Sequence, residues 1–265
     1  MIKTIIEVFR VELFLSRWDG LVWLLVLLGP TIFVQRRVHF EIQALFLLLT
    51  RRLNVALGLF SLLFFPGVFL HETSHFLMAR LLGVRTGRFS LIPQVMPGGK
   101  LQLGFVETAN ADPLRDALIG AAPLLNGGLA VASLGLNRLG LVPLAAYANA
   151  QDWSGLFAAL GALPRLPDFW LWFYLAFTIS STLLPSPSDR RAWLPVALVS
   201  ALLVVIALVA GAGPWMMENI APWLNRGLRA LAAVFGIGLG IHLLLWLPLR
   251  LLRALLTRLT GLRVA

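Results

Sequence analysis

The sequence contains no cysteine and few charged residues. Of its 265 residues, 13% are charged and only four are His. Without thiols there are no disulfide bonds or thiolate metal sites, so a transition metal would need His, Asp or Glu ligands. A soluble protein is about a quarter charged, whereas this chain is 59% hydrophobic with a mean hydropathy of +0.86. The composition therefore predicts an integral, multi-pass membrane protein, which we expect in the cell membrane.

The few charges are mostly basic. Lys and Arg number 22 against 12 acidic residues, which gives a net charge of +10. A basic balance can indicate nucleic-acid binding, but these cations form short clusters between apolar runs, a pattern typical of loops on the cytoplasmic side of a membrane. We therefore expect the lipid bilayer as a partner, and no nucleic acid. The oligomeric state is left open.

Two of the four His form a short motif at the end of a long apolar run. The segment His71-Glu72-Thr73-Ser74-His75 has the pattern H-E-x-x-H. On a helix His71 and His75 lie one turn apart on the same face. Two imidazoles placed in this way can bind one Zn²⁺ ion, and Glu72 can act as general base on a water bound to it. Ionisable groups at membrane depth are costly, which favours a functional role over a chance polar turn.

The motif helix divides the chain into three segments. Residues 1–53 hold amphipathic and short membrane segments, residues 54–195 form the candidate zinc metalloprotease core, and residues 196–265 supply C-terminal transmembrane helices. The predicted fold is an all-α polytopic membrane protein with about six transmembrane helices. Residues 137–168 are interpreted as a long connection, and residues 211–225 as a loop.

A small β-hairpin is predicted directly after the motif helix. Two β-prone stretches, Phe89-Ser90-Leu91-Ile92 and Leu101-Gln102-Leu103-Gly104-Phe105-Val106, flank the turn sequence Pro97-Gly98-Gly99. Its open edge could bind an extended peptide by strand addition. The alternative is an ordinary connecting loop.

The basic clusters suggest an orientation but conflict with one another. Residues 80–100, the pair Arg190-Arg191 and the C-terminal arginines can all face the cytoplasm together. The arginines between residues 36 and 52 then fall on the opposite side, unless the first apolar run, residues 20–34, is re-entrant.

A catalytic zinc site usually has three protein ligands, so the His pair needs a partner. Asp189 is the preferred candidate, because it follows an apolar span in a Pro-punctuated stretch on the predicted side of the motif. Alternatively, Asp189 is a solvated N-cap of the following helix. The other candidates are Glu107, Glu218, His39 and His242.

With these residues the chain resembles the site-2 protease family of intramembrane zinc metalloproteases, over roughly residues 54–195. The resemblance rests on the H-E-x-x-H helix and the hairpin after it. It also rests on Pro123-Leu124-Leu125-Asn126, similar to Gly-Pro-x-x-Asn, and on Leu183-Leu184-Pro185 before Asp189, similar to Asn-x-x-Pro followed by Leu-Asp-Gly. The departures are Ala122 for Gly, Thr182 for Asn, and Ser188-Asp189-Arg190 for Leu-Asp-Gly.

The resemblance implies an intramembrane zinc metalloendopeptidase that cleaves transmembrane or membrane-proximal segments of other proteins. It implies His71, His75 and Asp189 as ligands of Zn²⁺ and Glu72 as the base, with Asn126 and Thr182 as substrate-binding positions. Two alternatives stay open. One is a catalytically inactive scaffold or a transporter with the same fold. The other is a membrane zinc protease whose third ligand is a Glu, for which Glu107 is the nearest candidate.

Overall fold

The structure is a computed structural model that describes residues 2–95 and 101–262, with side chains from residue 17 onward except at 95 and 101. It is mainly helical. The helices are α1 (Ile2–Thr50), α2 (Leu53–Leu81), α3 (Pro113–Asn137), α4 (Leu141–Asn149), α5 (Trp153–Ala162), α6 (Phe169–Ser180), α7 (Trp193–Val209), α8 (Gly213–Asn219) and α9 (Ala221–Thr260), with a short 3₁₀ helix at Leu163–Arg165. The strands are β1 (Thr86–Ser90), β2 (Gln94–Val95), β3 (Leu101–Gln102) and β4 (Phe105–Thr108).

The long apolar helices make this a helical membrane protein. Within the described ranges, four helices are long and apolar enough to cross a membrane: α2, α3, α9 and the part of α1 from Arg17 to Thr50. A fifth span is reached if α7 and α8, which meet at an angle of 119°, are taken as one. Helix α6 has 12 residues, about 18 Å, and is shorter than a bilayer core of about 30 Å. The count of about six predicted from the sequence is therefore not reached.

The first apolar run, residues 20–34, lies inside one long helix. Helix α1 bends at Trp18, where φ is −124° and ψ is 19°, and then continues through Pro30 to Thr50. The re-entrant interpretation of the first apolar run is therefore wrong. The helix continues through Pro30 and Arg36 without a turn, and the apolar residues on both sides of Arg36 belong to it.

Helices α1 and α9 form the most extensive helix pair and run parallel. Near the start of both, Asn225 donates a hydrogen bond of 2.8 Å to Asp19. Further along both, Arg253 forms an ion pair with the buried carboxylate of Glu41. A two-residue link then reverses the chain, so α2 runs antiparallel to α1 and brings Phe64 against His39.

This arrangement corrects the orientation predicted from the charges. Because α9 runs parallel to α1, its C-terminal arginines lie at the same end of the bundle as Arg51 and Arg52. Arg80, near the end of α2, lies at the opposite end. We call this end, toward which the motif His71–His75 lies on α2, the site end. The C-terminal arginines and residues 80–100 therefore do not share one face, and the charge pattern alone does not orient the chain.

An apolar core lies between these helices. Its most buried members come from α1, α2, α6 and α9, and include Val38, Phe64, Phe177 and Ile241. Helices α3 and α6 also pack against α2. The core residues of α2 are Phe60, Phe64 and Val68, so the core holds the part of α2 that leads up to the motif.

The predicted β-hairpin is present at the site end. Strands β1 and β4 pair antiparallel, with Phe89 opposite Val106 and an irregularity between Thr86 and Phe89. Strands β2 and β3 continue the ribbon, with Gln94 opposite Gln102. The predicted turn at Pro97-Gly98-Gly99 lies outside the described residues.

Two stretches interpreted as connections contain helices. Helices α4 and α5 lie within residues 137–168, and α8 lies within residues 211–225. Asp152 caps α5 by accepting a hydrogen bond of 2.9 Å from the backbone N–H of Gly155. These helices were missed because each is only about two to three turns long and is exposed, so no apolar periodicity marks it.

Gly67 on α2 tests how closely α2 and α6 must pack. A Cβ built on Gly67 would overlap the carbonyl oxygen of Thr178, whereas a Cβ on Gly58 meets nothing within 4 Å. We expect Gly67→Ala to lower the free energy of unfolding by about 1–3 kcal/mol through overpacking. Gly58→Ala, on the same helix, should leave stability unchanged or raise it by up to about 1 kcal/mol. Denaturant unfolding in detergent measures both, and equal stabilities would contradict the close packing.

Candidate metal centre

The rings of the two motif His side chains lie close together on one face of α2, near its C-terminal end. Their Nε2 atoms are 3.1 Å apart, and the ring planes are inclined by 77°. Both side chains are largely buried, with 14% of His71 and 10% of His75 exposed. The helical spacing that the motif predicts is therefore present, and both rings point into the same space.

A backbone carbonyl orients each ring from behind. The Nδ1 atom of His71 lies 2.7 Å from the carbonyl oxygen of Thr182, and that of His75 lies 2.8 Å from the carbonyl oxygen of Ile119. A carbonyl only accepts, so each Nδ1 carries the hydrogen and donates it. In the neutral rings both Nε2 atoms are then acceptors, which is the form that binds a metal.

Asp189 completes the group from a distant part of the sequence. Its Oδ1 atom is 3.3 Å from Nε2 of His75, and its Oδ2 atom is 3.7 Å from Nε2 of His71. Helix α6 ends at Ser180, and the following turns bring the aspartate back over α2. The backbone N–H of Ser186 donates a hydrogen bond of 2.7 Å to Oδ2, which helps to fix the carboxylate.

The separations within this group fit a small tetrahedral cation. Zinc bonds of 2.0–2.1 Å to nitrogen or oxygen place neighbouring ligand atoms about 3.3–3.4 Å apart in a regular tetrahedron. The two Nε2 atoms are 3.1 Å apart, and the nearest carboxylate oxygens of Asp189 lie 3.3 Å (Oδ1) from His75 and 3.7 Å (Oδ2) from His71. With one ligand atom taken from each residue, all three atoms lie within 4.8 Å of one another. Two neutral imidazole nitrogens and a carboxylate would repel one another without a cation or an additional proton between them. The donor set thus suits zinc and leaves a fourth position free.

Glu72 stands beside this group with a free carboxylate. It is 8% exposed and lines the same cavity as the two His. Among the residues whose side chains are described, no group hydrogen-bonds to its carboxylate. A Cβ built on Gly104 would lie 2.9 Å from Cγ of Glu72, so the hairpin backbone packs directly on the glutamate. The carboxylate is thereby held next to the His pair, and no cation among the described side chains pairs with it.

A cavity of about 1120 Å³ opens in front of these residues. One wall is the hairpin, which contributes the apolar residues Leu103, Phe105 and Val106, and another is the turn region that carries Asp189. The volume exceeds that of a usual small-ligand pocket, about 300–1000 Å³. The cavity is therefore large enough for a segment of polypeptide.

The structure assigns Thr182 a role that the sequence did not suggest. Its backbone carbonyl orients His71, while its hydroxyl donates a hydrogen bond of 3.0 Å to the carbonyl of Ile179 within its own helix turn. Thr182 does line the cavity. Backbone groups such as the carbonyls of Thr182 and Ile119 carry no residue signature, so sequence reasoning had no means of finding them.

Asn126 does not line the cavity. The sequence predicted a buried amide near the substrate, but Asn126 is exposed on α3 and is not part of the cavity wall. Its neighbour Gly127 is buried and packs against Leu183, so the asparagine points away from that contact. The expected burial of Asn126 is wrong, because the motif position alone does not determine which face of α3 is turned toward the cavity. A contact of Asn126 with the substrate stays a prediction.

The competing metal ligands are engaged elsewhere. Glu107 lines the cavity, but Arg88 binds it at 2.6 Å, and this hydrogen-bonded ion pair holds the pKa of Glu107 below its usual value. Glu218 lines a second cavity, and His242 is buried against Ser181. In the described parts of the chain, the one metal-compatible group of three or more such side chains is His71, His75 and Asp189, whose ligand atoms all lie within 4.8 Å. Glu107 is not a member of this group, and its carboxylate is paired with Arg88 instead.

Gly120 permits the approach of Asp189, a contact that the sequence analysis missed. A Cβ built on Gly120 would overlap the backbone carbonyl oxygen of Asp189. The preceding residue, Ile119, supplies the carbonyl that orients His75, so α3 contacts two members of the group within one peptide unit. Small residues along α3 were the available signal.

A methyl group at Gly120 should displace Asp189 from the two imidazoles. We expect Gly120→Ala to weaken zinc binding at least about tenfold, the effect typical of lost support behind a ligand. Gly128→Ala is the matched control on the same helix, because its added Cβ would meet only Val234, at 3.9 Å. Competition with a chelator of known affinity measures both. Equal affinity in the two variants would show that this close approach does not position the aspartate.

No protein-family model, curated protein or solved structure matches this chain. The function is therefore inferred from the geometry and chemistry of the site.

Proposed function

We propose that this protein is an intramembrane zinc metalloendopeptidase, a multi-pass protein of the cell membrane that cleaves transmembrane or membrane-proximal segments of other proteins. One observation supports the proposal above the others. His71, His75 and Asp189 converge inside a helical membrane protein, with the carboxylate of Glu72 beside them on a peptide-sized cavity. Buried ionisable groups in a membrane bundle are costly and usually serve a function.

His71, His75 and Asp189 would hold the zinc ion. When bound, zinc lowers the pKa of a water molecule toward neutrality and polarises the scissile carbonyl. The carbonyls of Thr182 and Ile119 keep each Nδ1 protonated, so both Nε2 atoms face the metal position. Asp189 supplies the negative charge that favours a divalent cation there.

Glu72 is the proposed general base. Its carboxylate takes a proton from the attacking water and later passes that proton to the nitrogen of the leaving amine. No cation of the described side chains binds this carboxylate, so it is available for both transfers. The hairpin backbone at Gly104 packs on the side chain and limits its rotamers.

The substrate would bind in extended form along the hairpin. An amide inside a helix is shielded by its own hydrogen bonds, so a transmembrane segment must unwind locally before it is cleaved. In a two-stranded ribbon each strand has one unpaired edge, which can add a further strand. All residues of β4 line the cavity, and Phe105 and Val106 offer apolar contacts to the side chains of a membrane segment.

Glu72→Gln tests the catalytic role. The amide cannot accept a proton, so we expect cleavage to slow by about 10²–10⁴-fold while zinc content is unchanged. The measurement is cleavage of a reporter transmembrane segment by purified protein in lipid or detergent. Equal cleavage by the variant and the wild type would remove Glu72 from the mechanism. Zinc binding without turnover on any substrate library would instead indicate an inactive scaffold.

Asp189→Ala and Glu107→Ala together test the ligand set. We expect Asp189→Ala to bind zinc at least about tenfold more weakly, because two imidazoles alone leave the metal short of a protein ligand. Glu107→Ala should keep wild-type affinity, because its carboxylate is paired with Arg88. Metal analysis after dialysis against a weak chelator compares them. The reverse pattern would assign the third ligand to Glu107.

A further inference from the structure

A buried polar cluster lies behind His71, on the side away from the cavity. It joins the end of α6 to α1 and α9 through Gln35, Ser181 and His242. Gln35 is 7% exposed, Ser181 5% and His242 1%. These groups contact neither the cavity nor the proposed ligands directly, and the mechanism above does not use them.

The cluster begins where α6 ends. The last carbonyls of a helix have no partner within the helix and need donors from elsewhere. The carbonyl of Thr182 receives the Nδ1 hydrogen of His71 at 2.7 Å, and the carbonyl of Ser181 receives the amide hydrogen of Gln35 Nε2 at 2.6 Å. Two successive peptide units are therefore held by side chains from two different helices.

His242 holds the same residue from α9. Its Nδ1 donates to the carbonyl of Gly238 at 2.6 Å, and its Nε2 lies 3.0 Å from the hydroxyl of Ser181. The same hydroxyl lies 2.8 Å from the carbonyl of Phe177, so the two acceptors share its one hydrogen. A Cβ built on Gly238 would lie 3.3 Å from Cβ of Ser180, so α9 and α6 are in close contact at this level. The end of α6 is thus fixed from α1 and from α9.

We propose that Gln35 is a positioning residue for the metal site. Its amide fixes the Ser181 peptide, and with it the adjacent Thr182 carbonyl that sets the tautomer and orientation of His71. The inference rests on the proposed zinc function and extends it, because it gives α1, outside the candidate core, a supporting part in building the site. The link from Gln35 to His71 runs through two neighbouring peptide units.

The test compares zinc affinity and activity in matched variants. Gln35→Met keeps the length of the side chain and removes the donor, and Gln35→Asn keeps a buried amide but withdraws it by one methylene. Thr31→Val is the control: Thr31 lies one turn earlier on α1 and is 4% exposed. Its hydroxyl donates to Leu27 of its own helix at 2.7 Å and lies 3.5 Å from the carbonyl of Phe235 on α9, away from Ser181. Zinc affinity is measured by chelator competition on folded, purified protein, and kcat and KM are measured with a reporter transmembrane segment at limiting and saturating zinc.

We expect Gln35→Met to bind zinc about tenfold more weakly, as for other losses of support behind a metal ligand. At limiting zinc its kcat should fall with KM unchanged, because the cavity wall is intact, and saturating zinc should restore most of kcat. Gln35→Asn should show the same change to a smaller degree, and is the variant to use if Gln35→Met does not fold. Thr31→Val should match the wild type.

The outcomes separate this inference from the proposed function. Wild-type affinity in both Gln35 variants, with an active zinc-loaded wild type, would overturn the positioning role and leave the protease proposal standing. Equal loss in Thr31→Val would also overturn it, because the effect would then be general destabilisation of α1. A wild-type protein that binds no zinc would overturn the proposed function and this inference together.

Discussion

Two hydrogen bonds from histidine rings to backbone carbonyls determine the geometry of the site. Each carbonyl belongs to a different helix region, Thr182 at the end of α6 and Ile119 in α3. Together they turn both Nε2 atoms of the α2 motif toward Asp189. If either carbonyl moved, one ring could rotate or change tautomer, and the three acceptors would no longer converge. The packing of α3 and α6 against α2 is therefore a condition of the site.

The end of α6 explains several features of the bundle at once. A helix of 12 residues stops inside the protein, and the carbonyls of the two residues after it, Ser181 and Thr182, accept hydrogen bonds from Gln35 and His71. The turns that follow carry Asp189 back to the His pair. Gly67 and Gly120 lie where α2 and α3 touch this region, because any larger side chain there would overlap its backbone. The short helix, the closely packed glycines and the converging acceptors therefore all depend on the position of the end of α6.

The sequence predicted local structure better than the packing of the helices against one another. The His pair follows from helical periodicity, and the hairpin from β-prone stretches around a turn, because both depend on neighbouring residues. The choice of Asp189 over other carboxylates agrees with its position beside both imidazoles, and it came from a family resemblance combined with its place after an apolar span. That reasoning used no distances, so the position of Asp189 beside both imidazoles is an independent observation.

What could not be predicted depends on which faces meet. Asn126 was expected to be buried because its motif suggested it, yet the rotation of α3 leaves it exposed. The C-terminal arginines were assigned to the wrong end because the direction of α9 relative to α1 is set by packing and by pairs such as Asp19 with Asn225. Any residue can supply a backbone carbonyl, so the residue type does not reveal which carbonyl orients a histidine. The space available at a glycine is known only when the positions of both backbones are known.

The most direct test of the account is X-ray absorption spectroscopy at the zinc edge of the purified, zinc-loaded protein. The account predicts one bound zinc with four nitrogen or oxygen neighbours at about 2.0–2.1 Å, two of them giving the multiple-scattering pattern of imidazole. A zinc ion surrounded by oxygen alone, with no imidazole signal, would contradict the central claim that the α2 motif and Asp189 form a metal centre.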